Sequence, residues 1–175
     1  MGNRFIVPER GLVGGFNFLN TSSGTALTGA TTITVSNLPD IDELAIIIQN
    51  ASSASANSTF LMRFNSDSGN NYPSAGYYEY GSTSYFQTYN GAGGNAIQLG
   101  DLGQSAGDTF NAFCFVRGCR SSGRKIFESN STPSGTGRVR YTLGGYYNST
   151  NKITSVSIIS GTGNFDSGTV YLLGA

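Results

Sequence analysis

Residues able to move protons are scarce in this chain. It has no histidine, and its ten acids are balanced by ten lysines and arginines, so few groups titrate near neutral pH. Without histidine neither a Ser-His-Asp nor a Cys-His site can form. A Ser-Lys variant needs a buried lysine, and Lys125 and Lys152 both stand in polar strand contexts. Glu79, Asp101, Asp108, Glu128 and Asp166 are the acids that could make a glycosidase pair, which only their separation in space would reveal. Asp40, Asp67, Asp101, Asp108 and Asp166, however, each adjoin Gly, Pro or Ser, where Asp closes turns by bonding local backbone. The Asn65 to Asn71 loop offers oxygen ligands but misses the calcium-loop spacing, and Gly91-Ala92-Gly93-Gly94 lacks the lysine and helix of a phosphate cradle. Cys114 and Cys119 are too few for a disulfide scaffold and have no histidine with which to hold zinc. They read as reduced thiols, Cys114 in an apolar run and Cys119 in the turn after it, with a bridge across that turn left open. The expectation is a structural or binding protein with no catalytic residue, no cofactor and no metal.

Recognition residues are better supplied. Tyr72, Tyr77, Tyr78, Tyr80, Tyr85 and Tyr89 form a cluster, and rings with polar tips suit protein interfaces and sugar-binding faces. The alternative is that these tyrosines cover a sheet face within one domain. Arg117, Arg120, Arg124, Lys125, Arg138 and Arg140 concentrate the basic charge between positions 117 and 140. If Arg138 and Arg140 share a face with the 117–125 hairpin, a basic patch for an acidic partner results; otherwise they form a solvated face that discourages edge pairing. Residues 1–24 lack sustained periodicity and read as an extended arm, which needs something to lie against. Its Phe5, Ile6, Val7, Phe16 and Phe18 join Tyr77, Tyr78, Tyr80, Tyr85, Tyr89, Arg120, Arg124, Arg138 and Arg140 as candidate contacts for a partner or a second subunit.

The elements that must position these residues are strands. Charged residues are 11% of the chain and Gly is 25 of 175, against about 25% and about 7% in ordinary domains; with many aromatic and β-branched residues, such a chain folds. Alternation marks 31–35 and 59–64, with Phe60, Met62 and Phe64 on one face, and 44–49 is a short apolar run after the turn-forming residues 37–40. Further strands are expected at 76–80, 84–89, 96–99, 109–116, 125–129, 138–143, 152–159 and 169–173. The stretch 109–116 is apolar on both faces, as in a central strand of a packed sandwich. Asn50 to Ser58 reads as a loop. Nine to eleven short strands without a helical stripe predict an all-β fold, an antiparallel jelly-roll-like β-sandwich over residues 25–175 behind the arm of 1–24. Zero net charge gives no field toward nucleic acid. No apolar run suits a membrane span or an export signal.

Two blocks carry a resemblance. Phe60-Leu61-Met62-Arg63-Phe64-Asn65-Ser66-Asp67-Ser68-Gly69-Asn70-Asn71-Tyr72 is similar to a strand reading L-x-R-F-S-x-D-G-G-x-x-Y in a family of tailed-bacteriophage virion proteins. Ile153 to Ile158 followed by Gly163-Asn164-Phe165-Asp166-Ser167-Gly168-Thr169-Val170-Tyr171-Leu172-Leu173-Gly174 resembles that family's ending. With 44–49 and 76–80 the likeness spans roughly residues 27 to 174. It implies a virion component, either a capsid decoration protein or a tail or fibre module. The leading expectation is a trimeric decoration or cement protein, made in the host cytoplasm, that contacts the major capsid protein or other virion proteins with residues 1–24 lying across neighbouring subunits; the alternative is a tail-fibre tip whose tyrosine-rich loops hold host polysaccharide. The landmarks also make physical sense: Gly69 and Gly168 should supply turn geometry, and Phe165 should plug the end of the sandwich.

Overall fold

The computed structural model describes residues 15–89, 94–101, 105–135 and 138–175. They hold thirteen strands: β1 (Asn17–Phe18), β2 (Thr25–Ala26), β3 (Thr32–Ser36), β4 (Glu43–Ser53), β5 (Thr59–Phe64), β6 (Ser74–Tyr80) and β7 (Thr83–Tyr89). Then follow β8 (Ile97–Asp101), β9 (Phe110–Arg117), β10 (Lys125–Pro133), β11 (Arg138–Tyr147), β12 (Ser155–Ser160) and β13 (Phe165–Gly174). Eleven of these have five residues or more, the number at the top of the range expected.

The strands form two antiparallel sheets. The larger runs β1-β13-β4-β9-β10-β11-β6-β7, with β2 also on β13; the smaller runs β3-β12-β5-β8. From β3 onward the chain alternates between layers: β3, β5, β8 and β12 lie in the small sheet, while β4, β6–β7, β9–β11 and β13 lie in the large one. This is a jelly-roll path in which the meander β9-β10-β11 occupies one strand's place. The fold is the expected all-β sandwich.

Period-two alternation builds the core. Phe60, Met62 and Phe64 of β5 turn inward and meet Leu44, Ile46 and Ile48 of β4, Phe110 and Val116 of β9, and Leu172 of β13, all buried. Phe165 is buried as the plug anticipated, its ring 5.4 Å from that of Phe60, which meets Phe110 edge-on at 4.9 Å.

Two local readings are corrected, and the one for Gly168 holds. Residues 50–53, read as loop, continue β4: Asn50 adopts a left-handed φ of 50° at a bulge, after which Ala51, Ser52 and Ser53 are buried again. Composition misleads there because serines do the work of core residues once their hydroxyls are satisfied; Ser53 Oγ donates to the Thr162 carbonyl at 2.6 Å, and Ser58 and Ser160 bond each other at 2.8 Å. Gly168 is needed at that same bulge, since its φ is 114° and a Cβ would stand 2.5 Å from the Cα of Ala51. Gly69 is not the left-handed residue of its turn; Asn65 and Ser66 are, with φ of 55° and 53°.

The part of the arm within the described residues lies along its own chain. Asn17 and Phe18 pair with Gly174 and Leu173, Asn20 bonds Val170 and Leu172 through its amide, and Thr25 and Ala26 pair with Val170 and Thr169. One edge of the large sheet is thereby covered.

Candidate functional surfaces

Inward-facing residues of the large sheet make the core; the outward-facing ones make the surface of interest. Cross-strand register sets Tyr171, Ile47, Phe113, Asn130, Thr142, Tyr77 and Phe86 in one row across seven strands. The adjoining row holds Phe18, Leu173, Ala45, Phe115 and Glu128. Phe16 meets Phe115 edge-on at 5.8 Å, Phe18 lies 6.3 Å from Tyr171, and Arg117 sits 5.1 Å over Phe115. Phe113 is 45% exposed and Ile126 62%. The outward half of the 109–116 alternation is therefore not buried in a second layer among the described residues, as a doubly covered central strand would be. Phe86, Phe113, Phe115, Ile126 and Tyr171 were not singled out from sequence. The signal available was the excess of apolar residues on both faces of 110–116.

The tyrosine cluster divides. Tyr72 is buried, its ring stacked on Tyr147 and its hydroxyl accepting from the Phe64 N–H at 3.1 Å, so it is no surface residue. Tyr77 and Phe86 meet at 5.2 Å on the outer face of the β6–β7 hairpin, and Tyr78 stacks on Tyr85 at 5.1 Å and on Tyr141 at 5.8 Å on its inner face. Tyr77, Tyr80 and Tyr85 are exposed, while Tyr78 is half-buried. The side chains of Tyr89 and Arg138, and the whole of Phe5, Ile6 and Val7, lie outside the described residues.

The basic residues do not gather into one patch. Arg140 stands opposite Glu79 and pairs with it at 2.6 Å. Arg117, Arg120 and Arg124 lie toward the other end of β10 and β11, beyond Ile126 and Tyr146, roughly 20 Å from Arg140 at about 3.3 Å per residue. Arg117 faces Glu43 at 3.7 Å and Arg120 faces Asp42 at 3.6 Å. Arg124 instead lies 4.3 Å over the Tyr146 ring and donates to Asn148. The acids that balance 117–140 were invisible in that window because strands from elsewhere bring them.

Four of the acids are held by hydrogen bonds, two of them to local backbone and two to side chains distant in the sequence. Asp67 and Asp108 close turns, accepting from the N–H of Gly69 and Ser105; Asp101 instead accepts from Thr59 and Tyr141, and Asp166 from Ser52. Burial alone would raise the Asp67 carboxyl, but the bonds from Gly69, Asn71 and Tyr147 outweigh it and hold it below the usual range. Among the described residues no group of three His, Cys, Asp or Glu converges as metal ligands.

Lys125 is buried, contrary to its polar neighbourhood in sequence. Its ammonium donates to the carbonyls of Ser121 (2.9 Å), Gly123 (2.9 Å) and Ser149 (2.6 Å), so its three donors tie two loops together. Burial lowers its pKa, yet its partners are carbonyls and not a serine hydroxyl, which is not the arrangement of a Ser-Lys nucleophile. Cys114 and Cys119 are free and buried. Burial pushes the Cys119 thiol up to about 12 and that of Cys114 higher still, the opposite of a reactive thiol.

Above Lys125 the same loops shape an open polar cleft of about 510 Å³, lined by Asp67, Asn71, Arg124, Asn148, Thr150 and Asn151 among others. Fold and surfaces together define a jelly-roll sandwich with one aromatic sheet face and one polar loop end. Comparison with known protein families finds no matching family model, and none of the curated proteins matches the chain.

Proposed function

We propose that this chain is a non-enzymatic structural component of a tailed-bacteriophage virion, a decoration or cement protein. In this reading it contacts the major capsid protein or other virion proteins and associates with copies of itself. The observation that carries the reading is the outer face of the large sheet. Its apolar residues are grouped, not singly scattered as is normal on a monomer surface: Tyr171, Ile47, Phe113 and Phe115 lie on one side of the bonded polar pair Asn130 and Thr142, and Tyr77 with Phe86 on the other. The charges at its margins are already paired, Arg117 with Glu43 and Arg140 with Glu79. Such a face is suited to being covered by another protein surface, where unpaired buried charge would be costly. The virion assignment itself rests on the resemblance of 60–72 and 153–174. Locating the protein in purified particles tests it: density or antibody label on the capsid is expected. Particles lacking the protein, or turnover of a substrate by the purified chain at neutral pH, would overturn it.

The second reading, a tail-fibre tip that holds host polysaccharide, is favoured by the loop-end cleft. Its lining of amides, hydroxyls, one carboxylate and one guanidinium presents dense hydrogen-bonding groups of the kind sugars use, beside the Tyr146 ring. In that reading the tyrosines of β6 and β7 are not the sugar site. A glycan array separates the two: binding lost in Arg124→Ala and kept in Tyr77→Ala supports the cleft, and no binding by the wild-type chain excludes it.

A further inference from the structure

The two edges of the large sheet are treated in opposite ways. The β13 edge is sealed by β1 and β2 of the same chain. The other edge is β7, and among the described residues nothing pairs with its free side. Residues 83–88 are all exposed, so β7 rests neither face on the core; the edge strands of the small sheet do, β3 turning Ile33 and Val35 toward it and β8 burying Ile97 and Leu99 in it. Edge strands of monomers are guarded by charge, proline, a bulge or a covering segment. β7, Thr83-Ser84-Tyr85-Phe86-Gln87-Thr88-Tyr89, has no charged residue and no proline, and its register with β6 is regular throughout. It also carries apolar surface on both sides, Phe86 outward and Tyr85 inward, with Phe86 62% exposed.

The hairpin geometry fixes which groups are free. Tyr80 and Thr83 flank the two-residue turn Gly81-Ser82, in which Gly81 takes the positive φ of 58° at the first central position. The flanking pair of such a turn is hydrogen-bonded and the pattern alternates from there. The N–H and C=O groups of Ser84, Phe86 and Thr88 therefore point away from β6.

We propose that β7 is the docking edge for a second copy of this chain, the two β7 strands pairing antiparallel about a twofold axis normal to the sheet. With Phe86 on the axis, Phe86 faces Phe86 of the partner subunit and Ser84 faces Thr88 of the partner subunit, so every outward group of that stretch is satisfied. Because such an axis preserves the faces of the sheet, the two Phe86 rings meet on the outer face. The occupant is a second copy for three reasons. The edge is complementary to itself, the chain has zero net charge and so does not repel its twin, and sealing of the β13 edge closes the assembly at two large sheets instead of a filament. This inference stands apart from the virion reading, since purified chain suffices to test it.

Light scattering on size-exclusion peaks, across a concentration series, should give the mass of two copies. Phe86→Lys, which sets two cations on the axis, and Thr88→Pro, which removes one outward N–H while leaving the β6 pairing, should each shift the equilibrium toward monomer by tenfold or more. Thr32→Lys, exposed on β3 of the small sheet, should leave the mass unchanged. Hydrogen exchange on the wild-type chain provides a check independent of variant folding: the Ser84, Phe86 and Thr88 amides should slow as concentration rises. A wild-type monomer, a trimer, a mass unchanged by both β7 variants, dissociation by Thr32→Lys, or β7 amides protected at every concentration in a monomer, as when residues 1–14 cover the edge, would each overturn the proposal.

Discussion

Tyr72 and Tyr147 stack face to face with centroids 4.9 Å apart and planes 12° apart. Phe64 closes the group, 6.2 Å from Tyr72 and 5.5 Å from Tyr147. The pair lies beneath the loop of residues 65–71 and holds it from below. The Tyr72 hydroxyl shares its proton with the carbonyls of Phe64 and Asp67, and the Tyr147 hydroxyl donates to the Asp67 carboxylate at 3.0 Å. Asp67 in turn receives the Gly69 N–H and the Asn71 amide, both at 2.8 Å. One wall of the polar cleft is thus fixed from the core outward, an arrangement that preorganises the cleft whatever it binds.

Removing the Tyr72 hydroxyl should cost stability without emptying the core. Tyr72→Phe keeps the stacked ring but leaves the Phe64 N–H buried without its acceptor, and an unsatisfied buried group costs roughly 1–3 kcal/mol. Tyr147→Phe removes only one of three donors to a half-exposed carboxylate and should cost less. Urea unfolding checks both. Negligible losses in both variants would mean that the stacking, and not the hydroxyl bonds, holds the loop.

Acid should loosen this loop before the rest of the sandwich. The folded Asp67 carboxyl titrates below its ordinary value, so the unfolded chain binds the proton more readily. The resulting stability is present above the unfolded carboxyl value, about pH 4, and is lost as pH falls through the lower folded value. Asp67→Asn should flatten the acid limb of a stability–pH curve below about pH 4, while leaving the slope near neutrality alone. An unchanged acid limb would show that the paired carboxylates elsewhere carry the dependence.

Most of the fold was legible because it rests on period-two patterns: 59–64, 109–116 and 138–143 announce strands by their own residues. What was not legible depends on distant chain. The Ser52 and Ser53 segment looks like loop until Thr162 and Asp166 arrive to satisfy its hydroxyls. Lys125 looks like a surface lysine until the Ser149 carbonyl is folded over it. The basic window 117–140 looks unbalanced until β4 and β6 bring Glu43 and Glu79 alongside. Of the candidate contacts, Phe16, Phe18, Tyr77, Tyr80 and Tyr85 are at the surface, on or beside the large sheet, whereas Tyr78 is half-buried against Tyr141.

The thiols should report global unfolding. Both are buried, and at pH 8 a thiol held at about 12 or above is almost wholly protonated. Labelling by a thiol-disulfide reagent in the native state should therefore be slower by orders of magnitude than in urea, with both sulfurs released together. A fast phase amounting to one thiol would reveal that the turn holding Cys119 opens on its own, independently of the sheet that holds Cys114.

Gly76 decides whether the hairpin stays on the sheet. A Cβ there would fall on the Thr142 carbonyl and within 2.9 Å of the Leu143 Cα, both backbone of the adjoining β11, so no side chain can yield to make room. Gly76→Ala must push β6 away from β11, at a cost of about 1–3 kcal/mol typical of overpacking. The loss should be local, because the core cluster of Phe60, Phe110 and Phe165 lies on other strands. Hydrogen exchange should show β6 and β7 amides opening while β4 and β9 stay protected, and the self-association mediated by β7 should fall with them. If the variant unfolds as a single unit with uniformly faster exchange, the hairpin is an integral part of the sandwich and not an appended docking element.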